Sequence, residues 1–211
     1  MPEIKICGLT KICEADYINE AKADYAGFVF YEKSKRNVSV ESACKIAGNL
    51  DKAIRKVAVC VSPDLRFAQQ IAEAGFDILQ VHGVLTKAVA SCGLPIWRAV
   101  NIGGAREPAK SDVMTDNADK IAGVVVDGAN YGGGKTFCWD RITADRLAKE
   151  MTGRLNQKKF ILAGGLHAGN VAQGIRLFHP DVVDVSSGVE EKSGKGREKI
   201  IEFVREVRRN G

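Results

Sequence analysis

The side chains in this sequence best suited to chemistry follow short apolar runs and stand beside glycine or serine. Cys7 closes the run Ile4-Lys5-Ile6 and precedes Gly8; Asp127 closes Val124-Val125-Val126 and precedes Gly128. A thiol can serve as a nucleophile or, ionised, as a base, and a carboxylate behind an apolar run is desolvated, which raises its pKa. Arg36 sits in a polar, cationic loop after Phe30, and its planar fork suits a carboxylate or a phosphate. His82 follows Gln80-Val81, and Asp184 lies among Val182, Val183 and Val185, where a buried carboxylate needs a partner or a ligand hydroxyl. Two turns lack bulky side chains: Gly164-Gly165 after Phe160-Ile161-Leu162-Ala163, and Ser186-Ser187-Gly188 after Val185. Backbone N–H groups in such turns can close on an anion such as phosphate.

Each of these residues also has a plainer reading. Cys7 fits a buried packing thiol, Asp127 before glycine fits a turn, and Arg36 fits a solvated cation. Gly164-Gly165 fits a tight turn and Ser186-Ser187 a helix cap, while His82 reads first as a satisfied core histidine and second as a substrate contact. Metal chemistry has little support, since the six cysteines show no CxxC pair and no Cys/His spacing suited to zinc, and His82 with Asp127 is not a ligand set.

The elements that must carry these residues alternate along the chain. Apolar runs at 3–6, 26–30, 56–61, 77–81, 95–100, 121–126, 160–163 and 182–185 read as strands. Between them lie helical patterns. Thr10 is placed to cap the first, which runs to about Ala23; Ser39 caps the second, and Ser62-Pro63-Asp64 opens the third. A short, weak helix is expected near 86–91, one over 139–151, one carrying Val171, Ile175 and Phe178, and a last one carrying Ile200, Phe203, Val204 and Val207. Residues 103–119 have little helical signal, so the fifth helix is weak or replaced by loop. Near-continuous apolar strands alternating with helices indicate a parallel sheet covered on both faces. An open doubly wound sheet usually carries GxGxxG after its first strand, and this chain has Cys7-Gly8-Leu9-Thr10 there. The expected fold is therefore a closed (β/α)8 TIM barrel in one domain, residues 1–211. The candidate residues then share the mouth at the C-terminal ends of the strands, with the loops after strands seven and eight as the phosphate site.

Bulk properties narrow the partners. The 211 residues carry 31 basic and 26 acidic side chains, a formal charge of +5, and much of the excess lies in 192–209. There the cations alternate with Glu198, Glu202 and Glu206, so a solvated helix face is the expectation and nucleic acid is not. No apolar stretch approaches the roughly 18–20 residues of a membrane span. Unpaired cysteines and an N-terminus without a signal peptide suit a reducing cytoplasm.

Taken together, several motifs resemble the phosphoribosylanthranilate isomerase family of tryptophan biosynthesis. They are Lys5-Ile6-Cys7-Gly8-Leu9-Thr10, Gly27-Phe28-Val29-Phe30-Tyr31 with Ser34 and Arg36, and Gln80-Val81-His82-Gly83. Further along come Gly133-Gly134-Lys135-Thr136-Phe137 before Trp139, Ile161-Leu162-Ala163-Gly164-Gly165 with Asn170-Val171, and Asp184-Val185-Ser186-Ser187-Gly188-Val189-Glu190. The resemblance implies a cofactor-free, metal-free barrel enzyme acting on a small phosphosugar, as a monomer or homodimer. Its reaction would be the Amadori rearrangement of N-(5′-phosphoribosyl)anthranilate to 1-(2-carboxyphenylamino)-1-deoxyribulose 5-phosphate. It further implies Cys7 as general base, Asp127 as general acid, Arg36 on the anthranilate carboxylate and Asp184 on a ribose hydroxyl. The chain departs from the family pattern at Val84-Leu85, at Tyr131-Gly132-Gly133-Gly134-Lys135 and at Cys138, and none of these removes an implied catalytic group. The related histidine-pathway isomerase uses aspartates at the ends of strands one and five, where this chain has Cys7 and Asn101.

Overall fold

A computed structural model describes residues 1–101, 118–127 and 157–211. Eight parallel strands close into a barrel in sequential order, the last pairing back onto the first. They are β1 (Glu3–Cys7), β2 (Tyr25–Phe30), β3 (Arg55–Val61), β4 (Ile78–His82), β5 (Ile96–Asn101), β6 (Ile121–Asp127), β7 (Lys159–Leu162) and β8 (Val182–Val185). The described helices are α1 (Ile12–Ala21), α2 (Val40–Ala47), α3 (Leu65–Glu73), α4 (Lys87–Ala90), α5 (Val171–Phe178) and α6 (Arg197–Asn210). A small antiparallel hairpin, β9 (Glu190–Glu191) and β10 (Gly194–Lys195), rises from the loop after β8. The expected helix over 139–151 and most of the weak segment 103–119 lie outside the described residues.

Two-residue alternation along each strand divides the core in two. Ile4, Ile6, Phe28, Leu79, Val124, Leu162 and Val183 face outward and meet the buried sides of the helices. Cys7, Tyr25, Val57, Val59, Trp97, Val125, Ile161 and Val182 fill the interior. The floor of the barrel is polar: the Tyr25 hydroxyl donates to Glu3, 2.9 Å away, and Glu3 pairs with Arg55 and Lys159. The Trp97 ring lies 5.0 Å from that of Tyr25 and covers this floor from above.

Helix starts follow the sequence expectation at Ser39 and Asp64, whose side chains accept from the amides of Ser42 and Phe67. The first helix differs. Its cap is Lys11 and not Thr10, and it ends at Ala21, because the buried Glu14 carboxylate itself accepts from the amides of Thr10, at 2.6 Å, and Lys11, at 3.1 Å. Once those donors are satisfied a threonine cap is superfluous. Glu14 also accepts from the Lys195 amide at 2.7 Å, tying the start of α1 to the hairpin.

Candidate active site

Cys7 is the last residue of β1, and its side chain points into the barrel because Ile6 points out. Its neighbour across the β1–β2 pair is Gly27, where an added Cβ would stand 2.9 Å from the sulfur. The glycine thus leaves the hollow that the thiol fills. Two residues below Cys7 on the same face, Lys5 is fully buried, and its ammonium donates to Asp184 Oδ2 at 2.7 Å. The two are register partners across the seam where β1 meets β8. Burial pushes the Cys7 thiol up from its ordinary value, the Lys5 charge pulls it down, and Asp184 pushes it up again. Burial works against the Lys5 ammonium, but the facing Asp184 carboxylate and the Cys7 sulfur together outweigh it and raise its pKa. The other oxygen of Asp184, Oδ1, is buried and has no hydrogen-bond partner among the described residues. A buried carboxylate oxygen left so is an acceptor awaiting a donor.

His82 ends β4 on the inner face, one strand step above Gln80, with Gln80 Nε2 3.0 Å from His82 Nε2. Burial first, then the charges of Lys5 and Arg98, pull the imidazole down to about 3, so it is neutral at pH 7. His82 is buried and faces the barrel interior, where a core histidine is expected. Asp127 closes β6 behind Val124, Val125 and Val126, each 2% exposed or less, and it is half-buried itself at the mouth. The alternation that buries Gly123 and Val125 inside the barrel puts Asp127 on the same inward face.

The loops after β7 and β8 press together. Gly164 and Gly165 both have positive φ, 85° and 68°, and their amides donate to no acceptor among the described residues. Asn170 holds this loop by donating to the Gly165 carbonyl at 3.0 Å and accepting from the His167 amide at 2.8 Å. A side chain at Gly188 would collide with the Leu166 carbonyl, so the loops can meet only through glycine. Ser186 is occupied structurally: its hydroxyl donates to the Cys7 carbonyl at 2.9 Å.

Arg36 is carried back over Gly8, where a side chain would strike its Cδ, and is 9% exposed. Its Nε is paired with Glu190, and its Nη groups have no hydrogen-bond partner among the described residues. Glu190 also receives Lys35 at 2.8 Å and Lys195 at 3.0 Å. Burial would raise the Glu190 carboxyl, but its bonds from Arg36, Lys35 and Lys195 hold it down at about 2. Lys195 was expected on a solvated face; it is 5% exposed, because the hairpin turns it inward to the Ser186 carbonyl, 3.0 Å away. Burial lowers its pKa accordingly. Lys5, Gln80, Glu190 and Lys195 were not singled out from the sequence. Alternation with Cys7 was a usable signal for Lys5, whereas nothing local marks Glu190 or Lys195.

This geometry is a thiol beside a buried ion pair, a carboxylate on the opposite arc of strands, an arginine fork and two apposed glycine loops. A family profile described as "PRAI: N-(5'phosphoribosyl)anthranilate (PRA) isomerase" matches residues 4–206. The chain belongs to the phosphoribosylanthranilate isomerase family. The family member from Streptococcus gordonii is 36% identical over 210 residues, covering 99% of this chain and 98% of that one. The crystal structure of phosphoribosyl anthranilate isomerase from Thermotoga maritima superposes with a TM-score of 0.82 at 27% identity, covering 99% of both chains. A phosphoribosyl anthranilate isomerase crystallised with reduced 1-(o-carboxyphenylamino)-1-deoxyribulose 5-phosphate gives 0.79 at 27% identity, again covering 99% of both. The isomerase fold is thus the closed barrel expected from the sequence. Among the described residues no helix is long and apolar enough to cross a membrane.

Proposed function

We propose that the chain performs the isomerase reaction with the following division of labour. Asp127 protonates the ring oxygen of N-(5′-phosphoribosyl)anthranilate and opens the furanose to a Schiff base. Cys7, as thiolate, takes the C2′ proton, and the resulting enolamine gives up its C2′ hydroxyl proton and gains one at C1′ to give 1-(2-carboxyphenylamino)-1-deoxyribulose 5-phosphate. Arg36 holds the anthranilate carboxylate with its Nη groups, and Asp184 Oδ1 accepts a ribose hydroxyl. The amides of Gly164, Gly165, Ser187 and Gly188 surround the phosphate, Ser186 anchors that loop, and neutral His82 lines the sugar site. The enzyme works in the cytoplasm on a freely diffusing phosphosugar.

What carries the reading is the family match over 4–206 together with an inward-facing strand-end thiol, the only one among the described residues, beside a buried carboxylate oxygen that has no partner among them. A thiol of reference pKa ~8.5 is a few per cent ionised at pH 7, and a carboxylic acid of reference ~3.9 needs desolvation to donate there. Asp127 closes a buried apolar strand, and at Cys7 the Lys5 charge opposes the burial that raises the thiol. Purified protein incubated with phosphoribosylanthranilate should remove its fluorescence, and in heavy water the product should carry one deuterium at C1′. Binding without turnover would instead make the chain a phosphosugar-binding barrel.

A further inference from the structure

We propose that Lys5 is the positioning residue that keeps Cys7 available as a thiolate, and that Asp184 governs how much of the Lys5 charge the sulfur feels. The inference rests on the reading of Cys7 as the base. It starts from a geometric oddity: a lysine with no exposure in the interior of a strand, where desolvating an ammonium is costly unless anions face it. One anion is plain, Asp184 Oδ2 at 2.7 Å. Two residues up the same face of β1 stands the Cys7 sulfur, the second group that Lys5 charge can serve.

Other charged or titratable groups face this spot from each neighbouring element. Tyr25 lies beside Lys5 on β2 but is engaged with Glu3 below. Arg36, over Gly8, is paired with Glu190; Lys195 binds Glu190 and Ser186 and also lowers the Cys7 thiol, by less than Lys5 does; Arg98 on β5 donates to the Val81 carbonyl. His82 on β4 is neutral, and Asp127 on β6 closes the mouth. Lys5 is therefore the cation with the larger pull on the sulfur, its charge shared between the Asp184 carboxylate and the Cys7 thiol.

The sharing gives the ion pair a purpose. In the empty site Asp184 takes most of the Lys5 charge, and the thiol stays largely protonated, with burial against ionisation. When a sugar hydroxyl donates to the unpartnered Asp184 Oδ1, part of the carboxylate charge is satisfied by the ligand. More of the Lys5 field is then left for sulfur. The thiol loses its proton to solvent in a pre-equilibrium, and the thiolate then takes the C2′ proton. Substrate binding and base activation are thereby joined through one lysine.

The test reads thiolate formation directly, as the pH midpoint for alkylation of Cys7 by iodoacetamide, followed by mass spectrometry of its peptide. The exposed Cys13 and Cys44 serve as internal references whose midpoints stay fixed. Lys5→Met should raise the Cys7 midpoint by about one unit or more, the usual effect of removing an adjacent charge, which slows alkylation about tenfold at pH 7. Asp184→Asn should move it the opposite way, since Lys5 then has sulfur as its remaining anion. Lys5→Met strands a buried carboxylate, so the double variant Lys5→Met with Asp184→Asn removes both charges; its midpoint should lie above the wild type and below Lys5→Met. An unchanged midpoint in both Lys5 variants overturns the inference, as does a rise in Asp184→Asn. If the alkylation midpoints move as stated while the rising limb of kcat against pH does not follow in Lys5→Met, the role of Lys5 stands and Cys7 is not the base.

Discussion

At the scale of single residues, two substitutions separate the assigned tasks. Asp127→Asn keeps the shape at the end of β6 but cannot donate an acidic proton; turnover should fall roughly 10²–10⁴-fold, the usual yield of a positioned acid. Steady-state kinetics with unchanged circular dichroism would check this, and a variant turning over at the wild-type rate would remove Asp127 from the mechanism. Arg36→Met should raise KM about ten- to a hundredfold, since charge-assisted hydrogen bonds contribute about 1.5–3 kcal/mol, and leave inorganic phosphate binding intact. Equal loss of both ligands would place Arg36 on the phosphate or in the fold. Cys7, Asp127, Asp184 and Arg36 were legible because each stands out against its local sequence: a reactive or charged side chain after, or within, an apolar run or a cationic loop. Lys5 and Glu190 were not, because their partners are remote. Lys5 meets Asp184 across 179 positions and Arg36 meets Glu190 across 154, so a buried charge looks solvated until the chain closes.

At the scale of elements, the proposed phosphate cradle is a contact between two loops. Because a side chain at Gly188 would collide with the Leu166 carbonyl, Gly188→Ala should force the loops after β7 and β8 apart. Titration with inorganic phosphate should show affinity falling tenfold or more, while anthranilate binds as before. Equal weakening of the two would mean that the loops do not form a separate anion site. The glycines and serines of these turns were readable as a cradle, since small residues after an apolar run leave the backbone open. What the local pattern could not reveal was that Ser186 spends its hydroxyl on the Cys7 carbonyl, or that Glu14 displaces Thr10 in capping α1. The Ser186 bond forms only when β1 and β8 are assembled; the Glu14 bonds to the Thr10 and Lys11 amides are local, but its carboxylate is fixed there by the Lys195 amide of the hairpin.

At the scale of the whole molecule, eight apolar runs predicted eight strands, and barrel closure followed from the missing dinucleotide turn. The strand ends differed by a residue or so, because ladder pairing and not hydrophobicity decides where a strand stops; β7 starts at Lys159, opposite Gly123. The buried interior also shapes acid stability. His82 is held at about 3 in the folded barrel against an unfolded value near 6.5. A depressed folded pKa means that the unfolded chain takes up a proton first, so stability is full above about pH 6.5 and is lost as pH falls. By pH 4.5 the loss from this group should reach roughly 2–3 kcal/mol. Glu190, held at about 2, adds its own loss only below about pH 4.5. Urea midpoints between pH 7 and pH 4.5 should therefore drop clearly in the wild type and less in His82→Asn; identical slopes would show that His82 is not buried neutral.

The most direct measurement is single-turnover conversion of phosphoribosylanthranilate by Cys7→Ser, with product affinity measured on the same preparation. Serine keeps the shape but raises the pKa of the base by several units. Conversion should fall by at least about a hundredfold, with product affinity within a few-fold of wild type. A serine variant that retains most of the wild-type rate while folded would contradict the assignment of Cys7 as the base.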